Sequence, residues 1–152
     1  MPDASVLRTL SISNERSQLR EVRAFVAEVI RSGGIPPAFE NGILLAVDEA
    51  VTNIITHAYS EDRRDTIEIE IRIDAAAFRV AIRDSGLSFD PQTVAEPDIE
   101  YKLSTGQRHG LGVFLMRRFM DEVEYLFHQG VRNELKMTKY LHGRRLHRDS
   151  GN

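Results

Sequence analysis

A glutamate and an asparagine lie four residues apart in a stretch whose apolar residues repeat with a helical period. Residues at this spacing are neighbours on a helix surface, so Glu49 and Asn53 place a carboxylate and an amide side by side. Asparagine is about 0.5 kcal/mol less favourable than alanine inside a helix, which suggests a compensating role for Asn53. A solvated polar face explains the same pair without any chemistry, and the spacing alone leaves both interpretations open.

The tripeptide Asp84-Ser85-Gly86 stands where a predicted strand ends. A carboxylate at this point can accept a hydrogen bond from an amino group, and the glycine leaves room for a flat ring. Aspartate and glycine are also frequent turn residues, so a simple turn is the alternative interpretation.

The tripeptide Gly110-Leu111-Gly112 opens a predicted helix. The start of a helix offers free N–H groups and a positive dipole end, which suit a phosphate, and glycines let a ligand approach the backbone. A flexible helix start without a ligand is the alternative. The preceding residues 87–109 have no clear period and contain Pro91, Pro97 and Gly106, so we expect a functional lid or a disordered segment there.

Alternation and helical periodicity predict the elements that must position these residues. The predicted strands run from Val6 to Ile12, from Thr66 to Asp74, through Phe78, Val80 and Ile82, through Val123, Tyr125 and Phe127, and from Glu134 to Leu141. The predicted helices hold Leu19 to Ile30 and Ala38 to Ala58, and a third starts at Gly110. We expect Ser13 or Asn14 to cap the first helix and Gly33-Gly34 to end it. Antiparallel pairs grouped with separate helices predict an α+β two-layer sandwich with one sheet face covered by helices.

The composition fits a globular protein and excludes several classes of function. The chain has 152 residues, of which 41% are hydrophobic and 28% charged, so it has enough apolar side chains for a core. It has no cysteine, which excludes disulfides, zinc–thiolate sites and thiol nucleophiles. No apolar run reaches the roughly 20 residues of a membrane helix, and the net charge of −3 disfavours direct nucleic-acid binding. We expect a single domain over residues 1–141 with a frayed tail at 142–152, in the cytoplasm.

Taken together and in this order, the three segments resemble the GHKL ATPase superfamily. Its Bergerat-type ATP-binding fold has a mixed, mostly antiparallel sheet. The chain most resembles the anti-sigma-factor serine kinases of bacterial partner-switching systems, and the resemblance covers nearly the whole chain. The segments that carry it are Asp48–Tyr59, Arg83–Pro91, Gly110–Tyr125 and Met137–Gly143.

The resemblance implies a role for each of the candidate residues. Glu49 corresponds to the general base, and Asn53 to the asparagine that holds Mg²⁺, an ion that needs only one or two protein oxygens. Asp84 corresponds to the aspartate that binds the amino group of adenine, with Gly86 packed near the ring.

Further positions take their expected roles from the same resemblance. Gly110, Leu111 and Gly112 correspond to the phosphate-binding turn. Thr138 corresponds to a threonine that assists adenine recognition, and Arg108 to a basic residue tied to lid geometry and partner contact. His57, on the same helix stripe as Asn53, either contacts phosphate or is a structural histidine, and both interpretations stay open.

The implied function is that of an ATP-dependent serine/threonine protein kinase that is also an anti-sigma factor. Such a protein uses ATP and Mg²⁺ to phosphorylate an anti-sigma-factor antagonist, sequesters a sigma factor and forms a homodimer, without a nucleic-acid or membrane partner. The alternative is a nucleotide-binding regulatory module that binds partner proteins without phosphoryl transfer. A histidine kinase is disfavoured, because the sequence before the first strand is too short for a helical hairpin with an acceptor histidine. Gly86 is also followed by Leu87 and Ser88, without the second glycine of many superfamily members.

Overall fold

Five strands and three helices make up the part of the chain that the structure describes. A computed structural model of the chain describes residues 5–57, 64–86, 111–128 and 132–142. The strands are β1 (Val6–Ser13), β2 (Thr66–Ile73), β3 (Ala77–Asp84), β4 (Glu122–His128) and β5 (Arg132–Tyr140). The helices are α1 (Leu19–Ser32), which follows a short 3₁₀ turn at Arg16–Gln18, α2 (Pro37–His57) and α3 (Leu111–Phe119). The predicted lid at 87–109 and the tail from residue 143 lie outside the described residues.

The five strands form one sheet in the order β1-β2-β3-β5-β4, and every pairing among them is antiparallel. The predicted α+β fold is confirmed, and so is the hairpin of β2 and β3. Alternation along β2 determines which side chains are buried. The four isoleucines from Ile67 to Ile73 are buried on one face of the sheet, while Glu68, Glu70 and Arg72 lie on the other.

The helices cover the face of the sheet that carries the isoleucines, which we call the inner face. Side chains from both layers form one buried cluster, with Val22 and Val26 of α1 and Val47 and Val51 of α2 among its members. Burying one such aliphatic side chain contributes roughly 1.5–3 kcal/mol, so this cluster is the main source of stability. Among the described helices, none has the length and apolar character needed to cross a membrane.

The start of α1 differs from the prediction. Neither Ser13 nor Asn14 caps a helix; the 3₁₀ turn follows Glu15, and α1 begins without a side-chain cap. Asn14 is buried and bonds across the fold: its Oδ1 accepts the N–H of Asp65 at 3.2 Å, and its own N–H donates to the Asp65 carbonyl at 3.1 Å. The same side-chain oxygen that could cap a helix therefore joins two segments instead.

The end of α1 follows the prediction, because Gly33 caps the helix and Gly34 adopts a left-handed φ of 73°. Gly33 also packs tightly on Ile73, at the end of β2, since a Cβ atom there would lie 2.5 Å from the Ile73 Cδ1. Because α2 begins only a few residues after Gly33, its start lies near this end of the sheet.

The opposite end of the sheet carries the residues of interest, and we call it the Asp84 end. Ser13 pairs with Thr66 there, and Asp84 pairs with Asn133. The last turn of α2 reaches the same region, because Arg16 donates to the Thr56 hydroxyl at 3.0 Å just after β1 ends. Helix α2 therefore crosses the inner face and carries its second half toward the Asp84 end.

Candidate functional site

Asp84 is a buried carboxylate at the last residue of β3. Its side chain is 5% exposed and points to the inner face, on the same side of the strand as Val80 and Ile82. A buried carboxylate is unfavourable unless it accepts hydrogen bonds. Asn133, directly opposite on β5, supplies one, because its Nδ2 donates to Asp84 Oδ1 at 3.1 Å.

The turn that follows Asp84 is held by side chains from two directions. Asn133 Nδ2 also donates to the Gly86 carbonyl at 3.0 Å, from the β5 side. On the other side, the Ser85 hydroxyl donates to Asp65 Oδ2 at 2.6 Å, and Asp65 is the residue that Asn14 anchors. These tertiary contacts fix the backbone next to the buried carboxylate. A simple solvent-exposed turn would not need such contacts.

Glu49 and Asn53 are half-buried on the second half of α2. Their spacing makes them neighbours on the helix surface, and α2 covers the face to which Asp84 points. The neighbouring face of α2 carries Asp48 and Thr52, which make structural contacts. The Thr52 hydroxyl donates to the Asp48 carbonyl at 2.7 Å, and the Asp48 carboxylate accepts two hydrogen bonds from Arg23 of α1 at 2.7 and 3.3 Å. The Arg23–Asp48 ion pair joins α1 to α2 beside the carboxylate–amide pair.

Helix α3 packs closely against α2. A Cβ atom on Gly42 would lie 2.8 Å from the Phe119 ring, so the glycine allows the end of α3 to touch the second turn of α2. Because α3 ends beside the start of α2, its first turn lies toward the half of α2 that carries Glu49 and Asn53. The N–H groups of a first helical turn have no partners within their helix and suit a phosphate.

Thr138 does not lie near Asp84. It pairs with Arg79 near the other end of β3, and five residues of strand, about 16 Å, separate it from Asn133. Its side chain also lies on the outer face of the sheet, with Lys136 and Glu134, whereas Asp84 faces the helices. The expected contribution of Thr138 to adenine recognition is therefore not supported by its position.

The other predicted site residues are only partly described. Leu111 and Gly112 are the first two residues of α3, and His57 is the last residue of α2. Gly110 and Arg108 lie outside the described residues. Over the described ranges 5–57, 64–86, 111–128 and 132–142, no three His, Cys, Asp or Glu side chains form a cluster that could hold a metal ion.

Sequence reasoning missed Asn133, although the sequence contains a signal. Leu135 and Met137 alternate along β5 and are buried, so Asn133 occupies the next inner-face position of the same strand. A polar residue on an otherwise apolar face of a strand indicates a specific hydrogen-bond partner, because burial of an unpaired amide is unfavourable.

The outer face of the sheet is charged, and Arg83 is at its centre. Three carboxylates accept bonds from its guanidinium: Glu134 at 2.7 Å, Glu68 at 2.8 Å and Glu70 at 3.1 Å. Burial opposes the charged form of Arg83, but these bonds outweigh it and raise the pKa of Arg83. The bond from Arg83 lowers the pKa of Glu70 in turn. This cluster joins β2, β3 and β5 next to the candidate site.

Comparison with known proteins gives consistent matches along the chain. Residues 12–139 match the family described as the histidine kinase-like ATPase domain. The serine-protein kinase RsbW of Bacillus subtilis (strain 168) is 36% identical over 110 residues, which cover 70% of this chain and 68% of that protein. The anti-sigma F factor of Bacillus thuringiensis (strain Al Hakam) is 30% identical over 137 residues, 84% of this chain and 85% of that protein.

A solved structure supports the same fold. The structure of the RsbU and RsbW domains of Rv1364c from Mycobacterium tuberculosis matches with a TM-score of 0.62 at 16% identity. The match covers 90% of this chain but only 32% of that longer chain, so it concerns the fold of one part of that protein.

Proposed function

We propose a function for this chain on the premise that it belongs to the histidine kinase-like ATPase domain family. The protein is an ATP-dependent serine/threonine protein kinase and an anti-sigma factor. It phosphorylates an anti-sigma-factor antagonist and sequesters a sigma factor. Two relatives support this function, one named a serine-protein kinase and the other an anti-sigma F factor.

The buried Asp84 carboxylate is the observation that carries the proposal. It is fixed at the end of β3, it points toward the helices, and α2 brings Glu49 and Asn53 to the same end of the sheet. In the proposed complex Asp84 accepts a hydrogen bond from the amino group of adenine, and Gly86 lies beside the ring. The phosphates of the nucleotide then extend toward the pair on α2.

Glu49 is the proposed general base. In the transfer step the serine oxygen of the antagonist forms a bond to the γ-phosphorus of ATP, and the bond from that phosphorus to the bridging oxygen of ADP breaks. The serine proton passes to the Glu49 carboxylate, and ADP leaves. Positioning and charge stabilisation dominate the catalysis of such transfers, and a general base typically contributes 10²–10⁴-fold.

The remaining proposed contacts concern the phosphates. The Asn53 amide oxygen fits one ligand position of Mg²⁺, which when bound would neutralise phosphate charge. The N–H groups at Leu111 and Gly112, together with Gly110, bind the phosphates from the start of α3. His57 contacts a phosphate, and Arg108 links the nucleotide to lid geometry and partner contact. Thr138 has no place in the proposed site.

The proposal also covers the domain organisation, the oligomeric state, the cellular location and the partners of the protein. It acts as a single domain over residues 1–141, as a homodimer in the cytoplasm, on the antagonist and the sigma factor as protein partners. These statements rest on the resemblance of the chain to the anti-sigma-factor kinases.

A phosphotransfer assay tests the function. Proteins that bind the purified chain are recovered from lysate of the source cell with and without ATP, and each is incubated with the chain and γ-labelled ATP. We expect label on a serine of a small antagonist with the unmutated protein and none with Glu49→Gln, which keeps nucleotide affinity. Glu28→Gln, an exposed position on α1, is the matched control and should transfer phosphate normally.

Two outcomes would contradict this scheme in different ways. If the unmutated protein labels none of the proteins that it binds, the kinase proposal fails and a non-enzymatic nucleotide-binding module is the better description. If Glu49→Gln transfers phosphate at the normal rate, the protein is a kinase but Glu49 is not its base.

A further inference from the structure

An open apolar groove runs between α1 and α2 on the solvent-exposed side of the two helices. Its apolar lining consists of Ala24 and Ala27 from α1 and Leu44 and Leu45 from α2, and its volume is about 470 Å³. We propose that this groove is a docking surface for an acidic amphipathic helix of a partner protein. The groove contains no residue of the proposed nucleotide site, so the inference does not depend on the proposed function.

The groove exists because two alanines of α1 face two leucines of α2. Ala24 and Ala27 are three residues apart and are therefore neighbours on the helix surface, where their short side chains leave space between the helices. Leu44 packs against the core but is only partly buried, and Leu45 is half-buried as well. Burial of the remaining apolar surface of these side chains against a partner is favourable.

Two ion pairs between the helices flank the groove, and in each of them the arginine is much more exposed than the carboxylate. The side chain of Arg23 is 57% exposed and that of its partner Asp48 is 20% exposed. The side chain of Arg31 is 70% exposed and that of its partner Glu40 is 23% exposed. A guanidinium has five N–H donors, so an arginine that is paired with one carboxylate can still donate to a second one. The exposed charge at both ends of the groove therefore favours a partner with carboxylates.

The separation of the two arginines determines the pattern of the partner. Arg23 and Arg31 are eight residues apart, which corresponds to about 12 Å along α1. A partner helix that lies along the groove covers this distance with about eight of its own residues. We therefore expect acidic side chains at positions i and i+7 of that helix, with apolar side chains at i+3 and i+4 on the same face.

A second copy of the chain fits the groove less well than an acidic helix does. In a two-fold pairing the same surface lies on both sides of the interface. Two antiparallel copies of the groove would place Arg23 of one copy beside Arg31 of the other, and like charges that meet across an interface are unfavourable. Charge complementarity therefore favours a different protein, with an acidic helix, as the occupant.

The test uses a fluorescent peptide with glutamates at i and i+7 and leucines at i+3 and i+4. A lactam bridge holds it helical, because a short isolated helix is only marginally stable in water. By fluorescence anisotropy we expect the peptide to bind the unmutated protein, and to bind Arg23→Gln and Arg31→Gln roughly twofold to fivefold more weakly. The matched control is Arg72→Gln, because Arg72 is also 57% exposed but lies on the outer face of the sheet. This control should bind the peptide as the unmutated protein does.

Further measurements distinguish a helix seated in the groove from a general attraction between charges. Ala24→Gln fills the groove with a longer side chain, keeps every charge and retains a good helix former, so it should bind the peptide about tenfold more weakly with an unchanged melting temperature. A peptide of the same composition with its leucines and glutamates exchanged should lose this binding. By NMR the methyl signals of Leu44 and Leu45 should shift with the peptide, whereas those of Leu7, an exposed leucine on β1, should not.

Four results would overturn the proposal. The first is that the peptide does not bind the unmutated protein, and the second is that both arginine variants bind it as tightly as the unmutated protein does. The third is equal binding of the exchanged peptide. The fourth is a concentration-dependent shift of the Leu44 and Leu45 methyl signals without peptide, which would assign the groove to a second copy. Ala27→Gln fills the same groove and serves where Ala24→Gln does not fold.

Discussion

Replacement of Asp84 by asparagine tests the proposed adenine contact most directly. The substitution keeps the shape of the side chain, but it replaces two acceptor oxygens with one oxygen and one NH₂ group. In the structure Asn133 donates to Asp84 Oδ1, so the substituted amide must turn its oxygen toward Asn133 to keep that bond. Its NH₂ group then faces the ligand, where an adenine amino group is also a donor.

The magnitude follows from this conflict of donors. Loss of one hydrogen bond to a charged group weakens binding by about 1.5–3 kcal/mol, which is roughly tenfold to a hundredfold in affinity for ADP. Since the bond to Asn133 survives in the substituted protein, we expect its melting temperature to change much less than its affinity. Calorimetric titration with ADP, together with a thermal melt of the same sample, measures both.

Asp74→Asn is the matched control for this experiment. Asp74 lies in the turn between β2 and β3, at the other end of the sheet, and accepts the N–H groups of Ala76 and Ala77 and a bond from Arg79. The control should lower the melting temperature and leave the affinity for ADP unchanged. An unchanged affinity in Asp84→Asn, or the same loss in both variants, would refute the assignment of Asp84 to the base.

Three further expectations concern the metal, the outer face and the helix contact. Asn53→Ala should weaken ATP binding chiefly when Mg²⁺ is present, and equal weakening without Mg²⁺ would indicate a structural role. Arg83→Met should lower the free energy of unfolding by about 1–3 kcal/mol, since its ion pairs are only partly solvated. Arg83 lowers the pKa of Glu70 below its ordinary value of 4.5, so the ion pair stabilises the fold above about pH 4.5 and this stabilisation is lost on acidification. Denaturant titrations from pH 6 to 3 should therefore show a smaller loss of unfolding free energy in Arg83→Met than in the unmutated protein. Gly42→Ala should lower the melting temperature by a few degrees, because its Cβ would overlap the Phe119 ring by more than helix propensity regains.

The strands of the hairpin were predictable because their evidence is local. Strict alternation from Ile67 to Ile73 fixes both the existence of β2 and the face that it buries, and the short turn before Ala77 forces an antiparallel partner. The helices were predictable for the same reason, since their apolar spacing and the Gly33-Gly34 stop lie within a few residues of one another.

The role of Asn14 was not predictable from its neighbours. A short polar side chain before a helical pattern has the chemistry of a cap, and the sequence around it supports that interpretation. Its actual partner, Asp65, is 51 residues away along the chain. Only the pairing of β1 with β2 brings the two segments together, and that pairing is a tertiary fact that no local pattern contains.

The resemblance assigns Thr138 to the site, whereas the register of β5 places Asn133 opposite Asp84. Alternation with Leu135 and Met137 already assigns Thr138 to the outer face, but it does not say which residue of β5 lies opposite Asp84. That depends on the pairing of β3 with a strand about 50 residues later, which the composition of either strand leaves open. With the register known, Asn133 becomes the polar residue that the inner face needs beside a buried carboxylate, to which it donates a hydrogen bond.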